Sequence, residues 1–371
     1  MKVAVLGGGS GAHAMASDLS LAGHEIRMAE LAEFADNIVA VQALGGIHLL
    51  GTAPMGGSPG FARIHLATTD VSEAVRGADL VMVVVPAYGH EAFMRALIAC
   101  AEPGQVVVFN SGYFASLVFA KMLADAGRGD DLLIGETASL VYLTRLCGAA
   151  QVRIKASKRT MPFSALPASK TPEALRRINT VYPQFVSAQN VLETSMNEAG
   201  IIIHPVSTLL NTSRIEQIGP YCSSYYDITP SVGRVMDALD REKQAVQRAL
   251  GLRRISLPQL LHEFFGSSGA NCYEAIRACP NYHTQMTPDS LQFRYITEDV
   301  PYGLVPIASI GDLVGVDTST IRAIIQLAGI ASGEDYWQIG RTAERLGLCG
   351  MGHKELVRYV YEGNNKDFRK R

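Results

Sequence analysis

The first thirty residues, MKVAVLGGGSGAHAMASDLSLAGHEIRMAE, constrain the fold of this chain more than any other segment. Val3 to Leu6 read as a short buried strand. Gly7, Gly9 and Ala12 then fit G-x-G-x-x-G/A, and a helix is expected through Leu21, ended by Gly23. A second strand, HEIRMA, closes with Glu30. Gly7 permits a tight turn, Gly9 lets a backbone approach a pyrophosphate, and Ala12 is small enough for the helix to pack on the strand. Free N–H groups at the helix start face the phosphates. Glu30, roughly 20 residues beyond Gly9, stands where a carboxylate accepts hydrogen bonds from an adenosine ribose. A glycine triplet alone is also an ordinary turn. Strand, turn, helix, strand and terminal acid in this order point to dinucleotide binding through Gly7, Gly9, Ser10, Gly11, Ala12 and Glu30. Glu30 would repel a 2′-phosphate and is followed by Leu31 rather than arginine, which favours NAD (NADH) over NADP.

The same pattern continues. ADLVMVVVPA, GQVVVFNSG and DLLIGETAS read as buried strands, with helical segments such as GHEAFMRALIACA between them. Continuous apolar strands covered by helices on both faces make a doubly wound, parallel α/β sheet. Ligands of such sheets sit beyond the carboxyl ends of the strands, which here carry Pro86, Asn110, Ser111, Glu136 and Thr137. Pro86, like Gly112, also reads as a plain strand terminator. QVRIKASKRTMPFSALP adds further strands and extends this domain to residue 188. Beyond it the apolar period becomes helical almost throughout. The expected division is therefore 1–188, a Rossmann dinucleotide-binding domain, and 189–371, an all-α domain. The final NNKDFRKR reads as a solvated tail.

Composition narrows the function classes. A chain of 371 residues has room for two cores, and 48% hydrophobic against 18% charged residues excludes wholesale disorder. A formal net charge of −2 offers no basic field for nucleic acid or an anionic membrane. No apolar run is long enough to span a bilayer, and the N-terminal residues read as lacking an export signal. The six cysteines and nine histidines are scattered, without C-x-x-C or H-E-x-x-H, so neither a disulfide framework nor a metal site is expected. A reducing cytoplasm fits best.

Two later segments carry chemistry. NEAGIIIHPVSTLLN places His204 after three isoleucines and before Pro205. On a helix, Gly200, His204, Ser207, Thr208 and Asn211 share a small, polar stripe that should face a partner able to satisfy it. Pro205 cannot donate to the Ile201 carbonyl. His204 reads either as a core histidine satisfied by a carbonyl or as an acid/base. In RYITEDVPYGLVP, Arg294 and Glu298 have the spacing of a simple helix pair. Pro301 and Gly303 argue against a long helix and for a turn that aims Arg294 and Asp299 at one site. An arginine there can hold a carboxylate bidentately, and an aspartate can fix a histidine tautomer.

Together, GGGSGAHA, VVVPAYGHEA, GETASLVYLTR, HPVSTLLN, DITPSVG and RYITEDVPYGLVP resemble the octopine/nopaline (opine) dehydrogenase family, nearest the bacterial N-(1-D-carboxyethyl)-L-norvaline dehydrogenase type. The resemblance runs to about residue 355 and implies a 6-phosphogluconate dehydrogenase-like architecture: a Rossmann domain, an all-helical domain and an active site in the cleft between them. It implies catalysis by His204, Asp299 and Arg294, with Arg294 also binding the keto-acid carboxylate, and a role for Glu136 near the amino-acid substrate. Thr137, Tyr142, Met196 and Tyr225 are the further candidate substrate contacts, and Pro86 a further cofactor contact. Two departures stand out: Asn110-Ser111-Gly112 replaces an expected N-P-G, and Glu30 an aspartate. The implied reaction is NADH-dependent condensation of an α-keto acid such as pyruvate with the amino group of an L-amino acid, and its reverse. A 2-keto acid, ketopantoate or glycerol-phosphate dehydrogenase is the alternative of similar architecture, but those use a lysine that the stretch 190–213 lacks. A non-catalytic NAD-binding regulator is the alternative of another class. Oligomeric state is open, a homodimer included.

Overall fold

A computed structural model describes residues 1–128, 131–221 and 227–363, in two compact units, Met1–Val191 and Leu192–Arg371. The described strands of the first unit are β1 (Lys2–Leu6), β2 (Glu25–Ala29), β3 (Gly46–Gly51), β4 (Phe61–Arg63), β5 (Leu66–Thr68) and β6 (Leu80–Val83). They continue with β7 (Val106–Phe109), β8 (Leu133–Thr137), β9 (Tyr142–Gly148), β10 (Gln151–Ser157), β11 (Met161–Leu166) and β12 (Phe185–Ser187). Eight form one sheet in the order β12-β11-β8-β7-β6-β1-β2-β5. β1 lies at its heart, with Val3 beside both Ile26 and Leu80 in parallel register. Four of the five β1 residues are fully buried, because helices cover both faces.

The helices of this unit are α1 (Ser10–Leu21), α2 (Asp36–Leu44), α3 (Val71–Val75), α4 (His90–Cys100), α5 (Ala115–Asp125) and α6 (Thr171–Ile178). In α4 the apolar residues recur at helical spacing, so Phe93, Met94 and Leu97 enter the core while Glu91 and Arg95 pair on the outside.

The structure departs from a single parallel sheet in two places. β11 runs antiparallel to β8, with Phe163 opposite Thr137 and Leu166 opposite Ile134. β3, β4, β9 and β10 leave the main sheet to form a second one, ordered β4-β3-β10-β9. The reason lies in their patterning. β10 alternates buried Val152 and Ile154 with exposed Arg153 and Lys155, so it covers one side only, and that side packs on α1.

The boundary falls within α7 (Val191–Met196). The second unit is helical: α8 (Gly200–Leu209), α9 (Thr212–Ile218), α10 (Pro230–Ala249), α11 (Leu257–Phe265) and α12 (Cys272–Arg277) come first. After them come α13 (Arg294–Thr297), α14 (Val305–Val314), α15 (Ser319–Ser332), α16 (Tyr336–Ile339) and α17 (His353–Glu362). Thr229 caps α10 by accepting from the Val232 N–H, with Pro230 in the first turn. Val232, Met236, Leu239 and Val246 then bury one face of it. α8 packs against α10, α13 and α15. No helix of the described residues is long and apolar enough to cross a membrane.

The turn expected between Arg294 and Pro306 is helical instead. α13 passes into one π-helical stretch, Val300–Leu304, and then directly into α14. Pro301 and Pro306 each lack an N–H, so a regular ladder cannot run through both, and the wider turn absorbs the mismatch.

Candidate active site

In the first unit the residues of the glycine-rich turn occupy positions set by space. Gly7 has φ +120°, and a Cβ there would lie 2.5 Å from the Val84 carbonyl oxygen, so only glycine fits. Gly11 is pressed by Leu140 and Val84, whereas a Cβ on Gly9 would meet nothing within 4 Å. Gly9 is the N-cap of α1 and supplies no side-chain cap. The first N–H groups of that helix, from Ser10, Gly11 and Ala12, have no carbonyl of their own helix to bond. Tight behind and open in front, the turn fits a pyrophosphate. Glu30 follows β2 and is 4% exposed; its two oxygens accept from the Leu31 N–H at 2.8 Å and from Asn37 Nδ2 at 3.3 Å. Carboxylate oxygens retain further lone pairs for ribose hydroxyls. Pro86 starts a 3-10 turn after β6, as a terminator would.

At the carboxyl end of β7 lies a conformation that no local pattern announced. Ser111, Tyr113 and Phe114 have φ of 62°, 48° and 67°, the left-handed region that non-glycine residues avoid. Each such residue costs on the order of 1–3 kcal/mol and needs its surroundings to hold it. Glu136 and Thr137, at the end of β8, do so. Glu136 Oε2 accepts from the Ser116 N–H at 2.8 Å, Thr137 Oγ1 accepts from the Ser111 N–H at 3.1 Å, and Gly112 lies against the Glu136 side chain. Both residues are fully buried.

Tyr142 is not a pocket residue. It lies in the hydrophobic core of the first unit, 2% exposed, and its hydroxyl donates to Asp18 Oδ2 at 2.8 Å while lying 3.0 Å from the Tyr182 hydroxyl. Burial pushes both phenols well above their ordinary range, so both remain neutral donors. Tyr142 stands only a few residues after Thr137, but β9 carries it away from the strand ends and onto α1. Met196, at the end of α7, is fully buried. Tyr225 lies outside the described residues.

In the second unit His204 and Asp299 meet. His204 Nδ1 is 2.9 Å from Asp299 Oδ2; the His204 side chain is 15% exposed and that of Asp299 1%. A carboxylate only accepts, so Nδ1 carries the proton and Nε2 is the nitrogen whose lone pair can gain or lose one. The core-histidine alternative with a carbonyl partner does not describe this pair. The rest of the polar stripe turns back on its own helix: Ser207 Oγ donates to the His204 carbonyl and Asn211 Nδ2 to the Ser207 carbonyl. Gly200 makes room for the pair, since a Cβ there would lie 2.7 Å from His204 Nδ1 and 2.9 Å from Asp299 Oδ1.

Arg294 opens α13, half exposed, and its Nη1 donates to Glu298 Oε2 at 3.1 Å. The i, i+4 pair that the turn expectation set aside therefore forms, because the segment is helical. Glu298 is 2% exposed and holds the guanidinium through that one nitrogen. Tyr295 stacks on the imidazole of His204 with ring centroids 3.7 Å apart and planes 8° from parallel. The only sequence signal for it was its position beside Arg294.

The model of the NAD/NADP octopine/nopaline dehydrogenase α-helical domain matches residues 187–332, and that of NADP oxidoreductase, coenzyme F420-dependent, matches residues 2–109. An opine dehydrogenase of Arthrobacter sp. (strain 1C) is 36% identical over 349 residues, covering 94% of this chain and 95% of that one. The protein ocs of Agrobacterium tumefaciens (strain Ach5) is 25% identical, over 96% and 98% of the two chains. Among solved structures, octopine dehydrogenase with NADH and L-arginine superposes with a TM-score of 0.77 at 21% identity, over 98% of each chain, a likeness of fold. With more than a third of its residues shared across nearly the full length of the Arthrobacter enzyme, this chain belongs to the opine dehydrogenase family.

Proposed function

We propose that the chain reduces the imine formed between an α-keto acid of the pyruvate type and the amino group of an L-amino acid, yielding a secondary-amine dicarboxylate, and catalyses the reverse oxidation. The family makes it an NAD-dependent oxidoreductase acting on a CH–NH group. The amine nitrogen attacks the keto carbon, water leaves, and the resulting C=N takes a hydride at carbon and a proton at nitrogen. A bound nicotinamide supplies or accepts that hydride. Gly7, Gly9, Ser10, Gly11 and Ala12 would hold its pyrophosphate and Glu30 its adenosine ribose, with NAD(H) preferred over NADP by the charge of Glu30. Arg294 would anchor the keto-acid carboxylate through paired N–H donors. Glu136 and Thr137 would line the amino-acid side through the loop they hold. The described cysteines are free thiols, in keeping with a reducing setting, and we place the enzyme in the cytoplasm.

The observation that carries this reading is the His204–Asp299 hydrogen bond. It fixes the tautomer and leaves Nε2 to deliver a proton in the reductive direction and to take one in the oxidative direction. Such proton transfer is worth about 10²–10⁴-fold. His204→Ala should lose turnover by about that factor while NADH binding, followed by fluorescence, persists. NADH oxidation with pyruvate should also require an added amino acid. Unchanged turnover of the variant removes His204 from the reaction, and amine-independent reduction of keto acid assigns the chain to hydroxyacid chemistry.

A further inference from the structure

We infer that Tyr295 is a positioning residue for His204, a flat wall that fixes the plane of the imidazole and so the direction in which Nε2 points. The inference rests on the reading of His204 as the proton-transfer group. The hydrogen bond from Nδ1 to Asp299 fixes one point of the ring, and the Tyr295 face fixes its plane. With centroids 3.7 Å apart and planes 8° from parallel, the two rings are in van der Waals contact across their faces, and a tilt drives the imidazole edge into the phenol. On the Nδ1 side Gly200 closes against the same ring, where a Cβ would be only 2.7 and 2.8 Å from Nδ1 and Cε1.

The wall is itself held. Tyr295 is 4% exposed, its hydroxyl accepts from Gln285 Nε2 at 3.1 Å, and Phe293 meets its ring edge-on at 4.9 Å and 87°. The guanidinium carbon of Arg294 lies 5.9 Å from the centre of that ring. One aromatic side chain thus packs on the proposed proton donor and neighbours the proposed carboxylate anchor.

The test uses Tyr295→Leu, Tyr295→Met and Tyr295→Phe in the full chain, beside His204→Ala. The two aliphatic variants should lose about 10- to 100-fold in kcat, as a misplaced catalytic group does, with KM for pyruvate little changed. Tyr295→Phe, which keeps the ring, should restore most of kcat. Folded Leu and Met variants with wild-type kcat would overturn the inference, as would a Phe variant as poor as they are. Should the aliphatic variants melt, proton NMR of histidine-labelled wild-type protein decides: the ring protons of His204, assigned by their loss in His204→Ala, should be shifted upfield by the tyrosine face, and unshifted protons refute the stack. If instead His204→Ala retains turnover, it is the proton-transfer reading that fails.

Discussion

Asp18 and Asp299 are hidden from solvent to nearly the same degree, at 0% and 1% exposure, and they serve opposite ends. Asp18, on α1, accepts from the backbone N–H groups of Met55 and Gly56 and from the Tyr142 hydroxyl. All three donors are fixed by the fold, and the carboxylate ties α1 to the loop after β3. Asp299 turns one oxygen to an imidazole whose other nitrogen can exchange a proton, on a side chain that is 15% exposed. Burial alone therefore does not mark a functional acid. What matters is whether its partner can pass on a proton.

The largest effect expected from this contrast is on turnover. Asp299→Asn offers His204 a donor or the wrong tautomer in place of a carboxylate, and kcat should fall about 10²–10⁴-fold with the melting temperature little moved. Asp18→Asn should leave kcat alone; steady-state assays showing the reverse ranking would dissolve the contrast. Gly200→Ala should come next, at about 10²-fold in kcat, because the new methyl parts the histidine from its acid while the helix gains a better former. Wild-type rates in that variant would mean the pair tolerates displacement.

A smaller effect separates stability from catalysis. Tyr142→Phe removes a donor from a buried carboxylate and should cost roughly 1.5–3 kcal/mol in denaturant unfolding, with KM for both substrates unchanged. A rise in the amino-acid KM would return Tyr142 to the pocket. The smallest effect concerns pH. Burial pushes the Asp18 carboxyl above its ordinary value, against the pull of the Gly56 and Met55 N–H groups and the Tyr142 hydroxyl. The folded chain then holds this proton more tightly than the unfolded one. Its contribution is fully present below the ordinary aspartate range and lost as pH rises through the raised value. Asp18→Asn should flatten that slope in melts taken across mildly acidic pH, and an unchanged slope would assign it to other groups.

The two regions also differ in how far the sequence revealed them. The glycine-rich turn was legible as structure because every task in it is local: Gly7 to Glu30 lie in one β-α-β unit, and each residue type follows from a turn, a close approach or a helix end. His204 and Asp299 are separated by 95 positions, and no period links them; only the family resemblance joined them. The second sheet was hidden for the same reason, since β3 and β10 pair across α3 to α5 and four main-sheet strands, β5 to β8. Arg294 to Pro306 went astray because Pro301 and Gly303 signal a break in an α-helix, and a π turn accommodates both. Tyr142, named as a candidate substrate contact, sits in the core of the first unit because the tertiary contacts of β9 decide its place. Ser111, Tyr113 and Phe114 left no trace, as nothing in an ordinary side chain announces a left-handed backbone.

Gly200 has a consequence for telling working enzymes from lapsed ones. A homologous chain could retain the histidine, the aspartate and the arginine, and so pass any comparison of reactive groups, yet carry a valine or serine one helical turn before the histidine. Its imidazole and carboxylate would be wedged apart by an atom that performs no chemistry. Gly200 thus serves the reactive pair by adding no atom to the space beside it.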